Sequence, residues 1–169
     1  MNASARLGFA VGAALACATA WADCRQAAEA WEKFTQQSRL AAYSVDRSDQ
    51  PPALEPDTVF IGNSAWTRDG KTWERMEIAD LDGLRRGLMK DLRTEIARGA
   101  VRCSAAGSGS LRGTPVVKIR SQDAQGSKDS ISVMWVDTRS GLPVFIDLGA
   151  EGGTYFRYGT DVKEPKVGK

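Results

Sequence analysis

The chain contains no histidine among its 169 residues and only three cysteines. Without an imidazole there is no Ser-His-Asp or Cys-His nucleophile and no histidine-ligated metal. An excess of one charge is missing too. Arg6 is the one charged residue of the first 22, so the remainder carries 22 basic against 21 acidic side chains. That balance supplies no basic stripe for nucleic acid. Three of the six prolines, Pro51, Pro52 and Pro56, crowd into "DQPPALEPD", which must be an extended loop.

Long apolar runs are confined to the N-terminus. Arg6 followed by "LGFAVGAALACATA" and Ala20-Trp21-Ala22 has the n-region, short h-region and A-x-A site of a secretory signal. The run is too short to span a bilayer. The sequence therefore predicts a cleaved signal at 1–22, one domain over 23–165, a frayed polar tail at 166–169 and a periplasmic location. "ALAC" at 14–17 loosely matches a lipobox, which would instead anchor the protein by a lipid on Cys17. The match is imperfect because Ala14 stands where Leu is usual. Cleavage after Ala22 leaves Cys24 and Cys103, and an even count in an exported chain predicts a disulfide between them.

Asp23 is placed to cap a first helix whose Ala27, Trp31 and Phe34 share one face. "AAYSVDRS" reads as a short strand. Residues 57–78 read as a hairpin turning at Asp69-Gly70, with Trp66 and Trp73 on its two arms where they can meet across the ladder. A second helix runs over 81–98, with Leu81, Leu84, Leu88, Leu92 and Ile96 at three- and four-residue steps and Met89 beside them. Asp80 or Asp82 can cap it, and Gly99 can stop it. From Ala100 onward the pattern is all strand, broken at Gly107/Gly109, "QDAQGSKD", "TRSGLP" and "EGG". Such short breaks predict antiparallel pairing.

The stretch "SVMWVDTRSGLPVFIDL", Ser132 to Leu148, carries apolar side chains on both faces of its two strands. Something must cover the second face: a helix, an apolar ligand or a partner. Catalysis is disfavoured here. "GSGSLRG" at 107–113 has neither the spacing nor the strand-to-helix setting of a phosphate loop, and reads as a β-turn. A pair of carboxylates needs no histidine, but nothing in the spacing selects two from Asp137, Asp147 and Glu74. With two cysteines and no histidine there is no credible metal site.

Trp135-Val136-Asp137-Thr138-Arg139-Ser140-Gly141-Leu142-Pro143-Val144 resembles the W-[IV]-D-x-x-[TS]-G-L-P stretch of the LolA-like bacterial envelope proteins. That group includes the LolA and LolB lipoprotein carriers, mycobacterial lipoproteins and the MucB/RseB sensors. Tyr158-Gly159-Thr160-Asp161-Val162-Lys163-Glu164-Pro165 is similar to their Y-x-D-[IV]-x-x-P ending, and Gly113-Thr114-Pro115-Val116-Val117 to the entry of an earlier strand. The two cysteines are not part of the general pattern and point to a distinct branch. The resemblance implies an α+β fold: a curved antiparallel sheet, an incomplete barrel, with helices covering its concave face. It further implies a non-enzymatic protein without cofactor, holding an acyl chain, lipid or lipidated peptide between sheet and helices. The expected lining is Met134, Val136, Phe145, Phe156 and Tyr158, with Leu88, Met89 and Leu92 from the second helix acting as a lid. The alternative is a protein–protein module of the envelope, accepting a strand at an exposed sheet edge near 151–159.

Overall fold

A computed structural model describes residues 24–46, 52–53, 55–125 and 131–166. The signal expected at 1–22, the Asp23 cap and residues 167–169 of the tail lie outside these. Residues 24–35 form α1. The elements that follow are β1 (Arg39–Val45), β2 (Thr58–Ile61), β3 (Ser64–Asp69), β4 (Thr72–Glu77), α2 (Leu81–Ala97), β5 (Val101–Leu111), β6 (Thr114–Asp123), β7 (Ser132–Asp137), β8 (Pro143–Asp147) and β9 (Gly153–Tyr158). A 3₁₀ turn at Gly149–Glu151 joins β8 to β9. The fold is α+β: the nine strands make one open, curved antiparallel sheet, ordered β4-β3-β2-β1-β9-β8-β7-β6-β5, with the helices on one face.

Turn chemistry sets the local boundaries. Residues 57–78 make two hairpins rather than one, because Gly62-Asn63 also reverses the chain. Trp66 consequently faces Arg75, whose guanidinium lies 5.4 Å over its ring, and Trp73 faces Arg68. The two tryptophans are diagonal neighbours, not a direct pair. Gly107 and Gly109 do not end a strand either. β5 continues to Leu111 past a bulge between Ala105 and Ser108, and the chain reverses at Arg112-Gly113. Both of those residues have positive φ, 53° and 83°, as a tight two-residue hairpin turn requires.

Register assigns each side chain to a face. Ile119 lies across from Met134, Met134 from Ile146, and Leu40 and Ala42 from Tyr158 and Phe156. This face receives α1. Cys24, Ala27 and Ala30 are buried against Ile119, Met134 and Val136, and their small side chains let the helix lie close. Phe34 meets Phe156 edge-on at 5.2 Å. The opposite face holds Tyr43, Val59, Trp66, Val116, Phe145 and Tyr155 in a second cluster. Leu111, the last residue of β5, and Val162, beyond the end of β9, join it. β6 and β9 are separated by β7 and β8, yet Arg112 at the end of the β5–β6 hairpin sits 4.9 Å over the Tyr155 ring. Strands lie about 4.8 Å apart, so the sheet must curve for that contact.

Two expectations are corrected. The main covering helix is α1, and α2 joins it only through its C-terminal half, Leu92 and Ile96: Met89 is the one buried residue of α2, while Leu84 and Leu88 are 61 % and 52 % exposed. And β9 is no edge. It is the fifth of nine strands, flanked by β1 and β8, so residues 151–159 offer no open ladder to a partner. The edges are β4 and β5. No helix among the described residues is long and apolar enough to cross a membrane.

Candidate functional site

Two spaces adjoin the helices. α1 and α2 run side by side, joined by Arg93 to Glu32 at 2.8 Å and by Arg85, which donates to the Gln37 carbonyl oxygen at 3.0 Å. Between them is a groove of about 840 Å³. Its walls are charged, with Arg85, Arg86, Lys90, Arg93 and Arg98 against Glu32 and Asp82, and Met89 the bulky apolar side chain among them. This is the larger of the two spaces, and its walls carry most of the charge.

The second space, about 460 Å³, lies between α1, the C-terminal half of α2 and strands β5 to β8. Ala27 and Trp31 line it from α1, Leu92 and Ile96 from α2, Met134 and Ile146 from the sheet. Glu95, Gln122 and Asp123 form part of a polar border. The Cys24–Cys103 disulfide is present, with the Cα atoms 5.0 Å apart. Cys103 itself lines the cavity, so the bridge pins the start of α1 to the strand forming one wall.

The residues expected to line a single cavity are distributed more widely. Met134 and Leu92 do line the apolar space, and Met89 lines the charged groove instead. Val136 is buried in the cluster beneath α1. Phe156 and Tyr158 stay on the helix face but pack against Phe34. The Tyr158 hydroxyl donates to the Pro143 carbonyl oxygen, and burial pushes its pKa well above the usual tyrosine value, so it remains a protonated donor. Leu88 faces solvent. Phe145 is on the wrong side for the cavity: it pairs with Trp135 and Tyr155, is 0 % exposed, and belongs to the opposite cluster. The register shift between Trp135 and Val136 makes Ile146, not Phe145, the cavity neighbour of Met134. Trp31 and Ala27 were visible in the sequence as one helical face. Ile96 was visible as part of a stripe. Nothing in the sequence marked Ile146 over Phe145.

The carboxylates weighed for hydrolysis are kept apart. Asp137 and Asp147 lie at opposite ends of the β7–β8 ladder, and Glu74 is on the β4 edge. Asp137 accepts two hydrogen bonds within its own turn, and Asp147 accepts the Gly149 N–H at 2.9 Å. Among the described residues no group of three His, Cys, Asp or Glu side chains is placed to hold a metal ion.

Fold and site together define an α+β protein with an open nine-stranded antiparallel sheet, one face of which forms an apolar cavity with two helices. No family model matches the chain, and no curated protein matches it in sequence. Among solved structures it is similar to the lipoprotein LppX of Mycobacterium tuberculosis, at 17% identity over 86% of this chain and 95% of that one, with a TM-score of 0.42.

Proposed function

We propose that the protein is a non-catalytic binding protein of the bacterial envelope that holds an apolar chain, from a lipid, a fatty acid or a lipidated peptide, between sheet and helices. The observation that carries this reading is the cavity of about 460 Å³ walled by Trp31, Leu92, Ile96, Met134 and Ile146. Small-molecule sites of this kind occupy roughly 300–1,000 Å³ and are mostly apolar with a few polar groups at their border. From α2 the cavity takes Leu92, Glu95 and Ile96. The secretory signal read at 1–22 and the disulfide support an oxidising compartment outside the cytoplasm.

Trp31 gives a direct readout. Trp66 and Trp135 belong to the cluster on the other face of the sheet. An acyl chain brominated along its length therefore quenches Trp31 selectively, and Trp31→Phe removes most of the quenching. Leu92→Glu, which places a charge in the apolar wall, weakens binding by at least about tenfold, since burying an unpaired charge is strongly unfavourable. Native mass spectrometry of protein taken from its own envelope shows a bound lipid mass. A lipid-free spectrum together with no quenching by any acyl chain sinks the proposal. The same spectrum reports whether the mature chain begins at Asp23 or at a lipidated Cys17.

A further inference from the structure

The first half of α2 has a composition that neither the core nor the apolar cavity explains. Residues 84–90, "LRRGLMK", contain three cations and no acid. Leu84 and Leu88 are two of the four large apolar side chains left exposed among the described residues. Arg85 is engaged by Asp82 at 3.5 Å and by the Gln37 carbonyl oxygen. The side chains of Arg86 and Lys90 are exposed, and their charged groups make no hydrogen bond or ion pair among the described residues.

At about 100° per residue these side chains fall into two flanks around a bare crest. Gly87 is the crest, and a Cβ there would meet nothing within 4 Å. Leu84 and Leu88 lie on one side of it, Lys90 and Arg86 on the other. A helix with glycine at its outermost point can approach a flat surface closely; Leu84 and Lys90, about 60° to either side, then face that surface, with Leu88 and Arg86 at its borders. Leucines entering the acyl boundary and cations meeting phosphates are the two contacts of an interfacial helix. A second copy of the chain is a poorer occupant, because a twofold contact through this face would bring the unpaired Arg86 and Lys90 toward their own equivalents.

We propose that the N-terminal half of α2 docks on the surface of an anionic lipid bilayer. Contact stops near Asp91, which stands close to the crest one turn further on and has no partner among the described residues. The docking face is separate from the apolar cavity, so the two properties can fail independently.

Sedimentation with vesicles of phosphatidylglycerol and phosphatidylethanolamine, against vesicles of phosphatidylcholine alone, tests the proposal at low and high salt. The protein binds the anionic vesicles at low salt, and binding falls with added salt and on the neutral vesicles. Arg86→Gln with Lys90→Gln weakens binding about 25-fold, at about fivefold for each basic residue. Leu84→Gln with Leu88→Gln weakens it about tenfold, and Asp91→Asn strengthens it a few fold. The melting temperature stays within a few degrees in each variant, since all five side chains are exposed, and quenching by brominated acyl chains is retained in Arg86→Gln/Lys90→Gln. Equal binding to both vesicle types, or binding unchanged by both double variants, overturns the proposal. So does a solution dimer that Leu84→Gln/Leu88→Gln disperses while no vesicle binding is seen.

Discussion

The carboxyl of Asp137 accepts the Arg139 backbone N–H at 2.9 Å and the Ser140 hydroxyl at 2.8 Å, while its own carbonyl oxygen accepts the Gly141 N–H at 2.8 Å. The Asp137-Thr138-Arg139-Ser140-Gly141 stretch is therefore a self-contained turn that aims Pro143 into β8, which explains the residue pattern without any chemistry. The Arg139 N–H is the main reason its pKa falls below the ordinary 3.8, with the Ser140 contacts adding to it. Asp57 is lowered as well: burial pushes it up, but hydrogen bonds from Ser44 and Arg68 outweigh that. A carboxyl lowered in the folded state contributes stability above its unfolded pKa, and that contribution is lost as the pH drops through the folded value. The denaturation midpoint of the protein thus falls below about pH 4, and Asp137→Asn makes that fall shallower while leaving the contribution of Asp57. An unchanged acid slope in Asp137→Asn would show that the turn's hydrogen bonds do not discriminate the charged form.

At the scale of elements, the two helices show what periodicity can and cannot say. Both carry apolar stripes of helical spacing, yet α1 buries Ala27 and half-buries Trp31 and Phe34, whereas α2 leaves Leu84 and Leu88 exposed. Spacing identifies a face; it does not identify what lies opposite. The same limit applied to the strands. Alternation and glycine turns marked most of them, but the pairing of β1 with β9 joins residues more than 100 positions apart. The face of Phe145 depended on a register shift that no local pattern encodes. So helices, most strands, the disulfide partners and two residues of the cavity wall, Met134 and Leu92, were legible, whereas strand order and the remaining wall were not. The α2 glycines supply a test at this scale. Asp80 accepts the Gly83 N–H at 2.8 Å as the N-cap, and a Cβ on Gly83 would collide with that carboxylate. A Cβ on Gly87 would meet nothing. Gly87→Ala is accordingly expected to stabilise by about 0.5–1 kcal/mol. Gly83→Ala gains the same propensity but disturbs a cap whose loss costs about 1 kcal/mol, leaving almost no net change. Urea denaturation of the pair decides: equal gains would mean that Asp80 does not cap α2.

Over the whole molecule, stability depends on how distant parts of the chain are tied. The sheet's middle is built from the first and last of the described strands, β1 and β9, while its open edges, β4 and β5, lie between them in sequence. α1 is fixed at one end by the Cys24–Cys103 bridge to β5 and at the other by Phe34 against Phe156 and Tyr158. Between these anchors Ala27 and Trp31 wall the cavity, so the bridge holds the helix over the ligand space as well as closing a loop. Its sequence separation is 79, for which the chain-entropy account gives about 4–5 kcal/mol. Replacing both cysteines, Cys24→Ser with Cys103→Ser, avoids a stray thiol and should cost stability of that order. The aromatic anchor survives, so α1 stays docked at low temperature and acyl-chain quenching of Trp31 persists there. On warming, quenching is lost at a lower temperature than in the native protein. Hydrogen exchange localises the effect: amides of the first turns of α1 exchange faster, while β7, β8 and β9 keep their protection until global unfolding. An unchanged denaturation midpoint would remove the bridge from the stability of the fold. Uniformly faster exchange in α1 and the central strands would mean that helix and sheet open as one unit, and that the cavity cannot open without unfolding the protein.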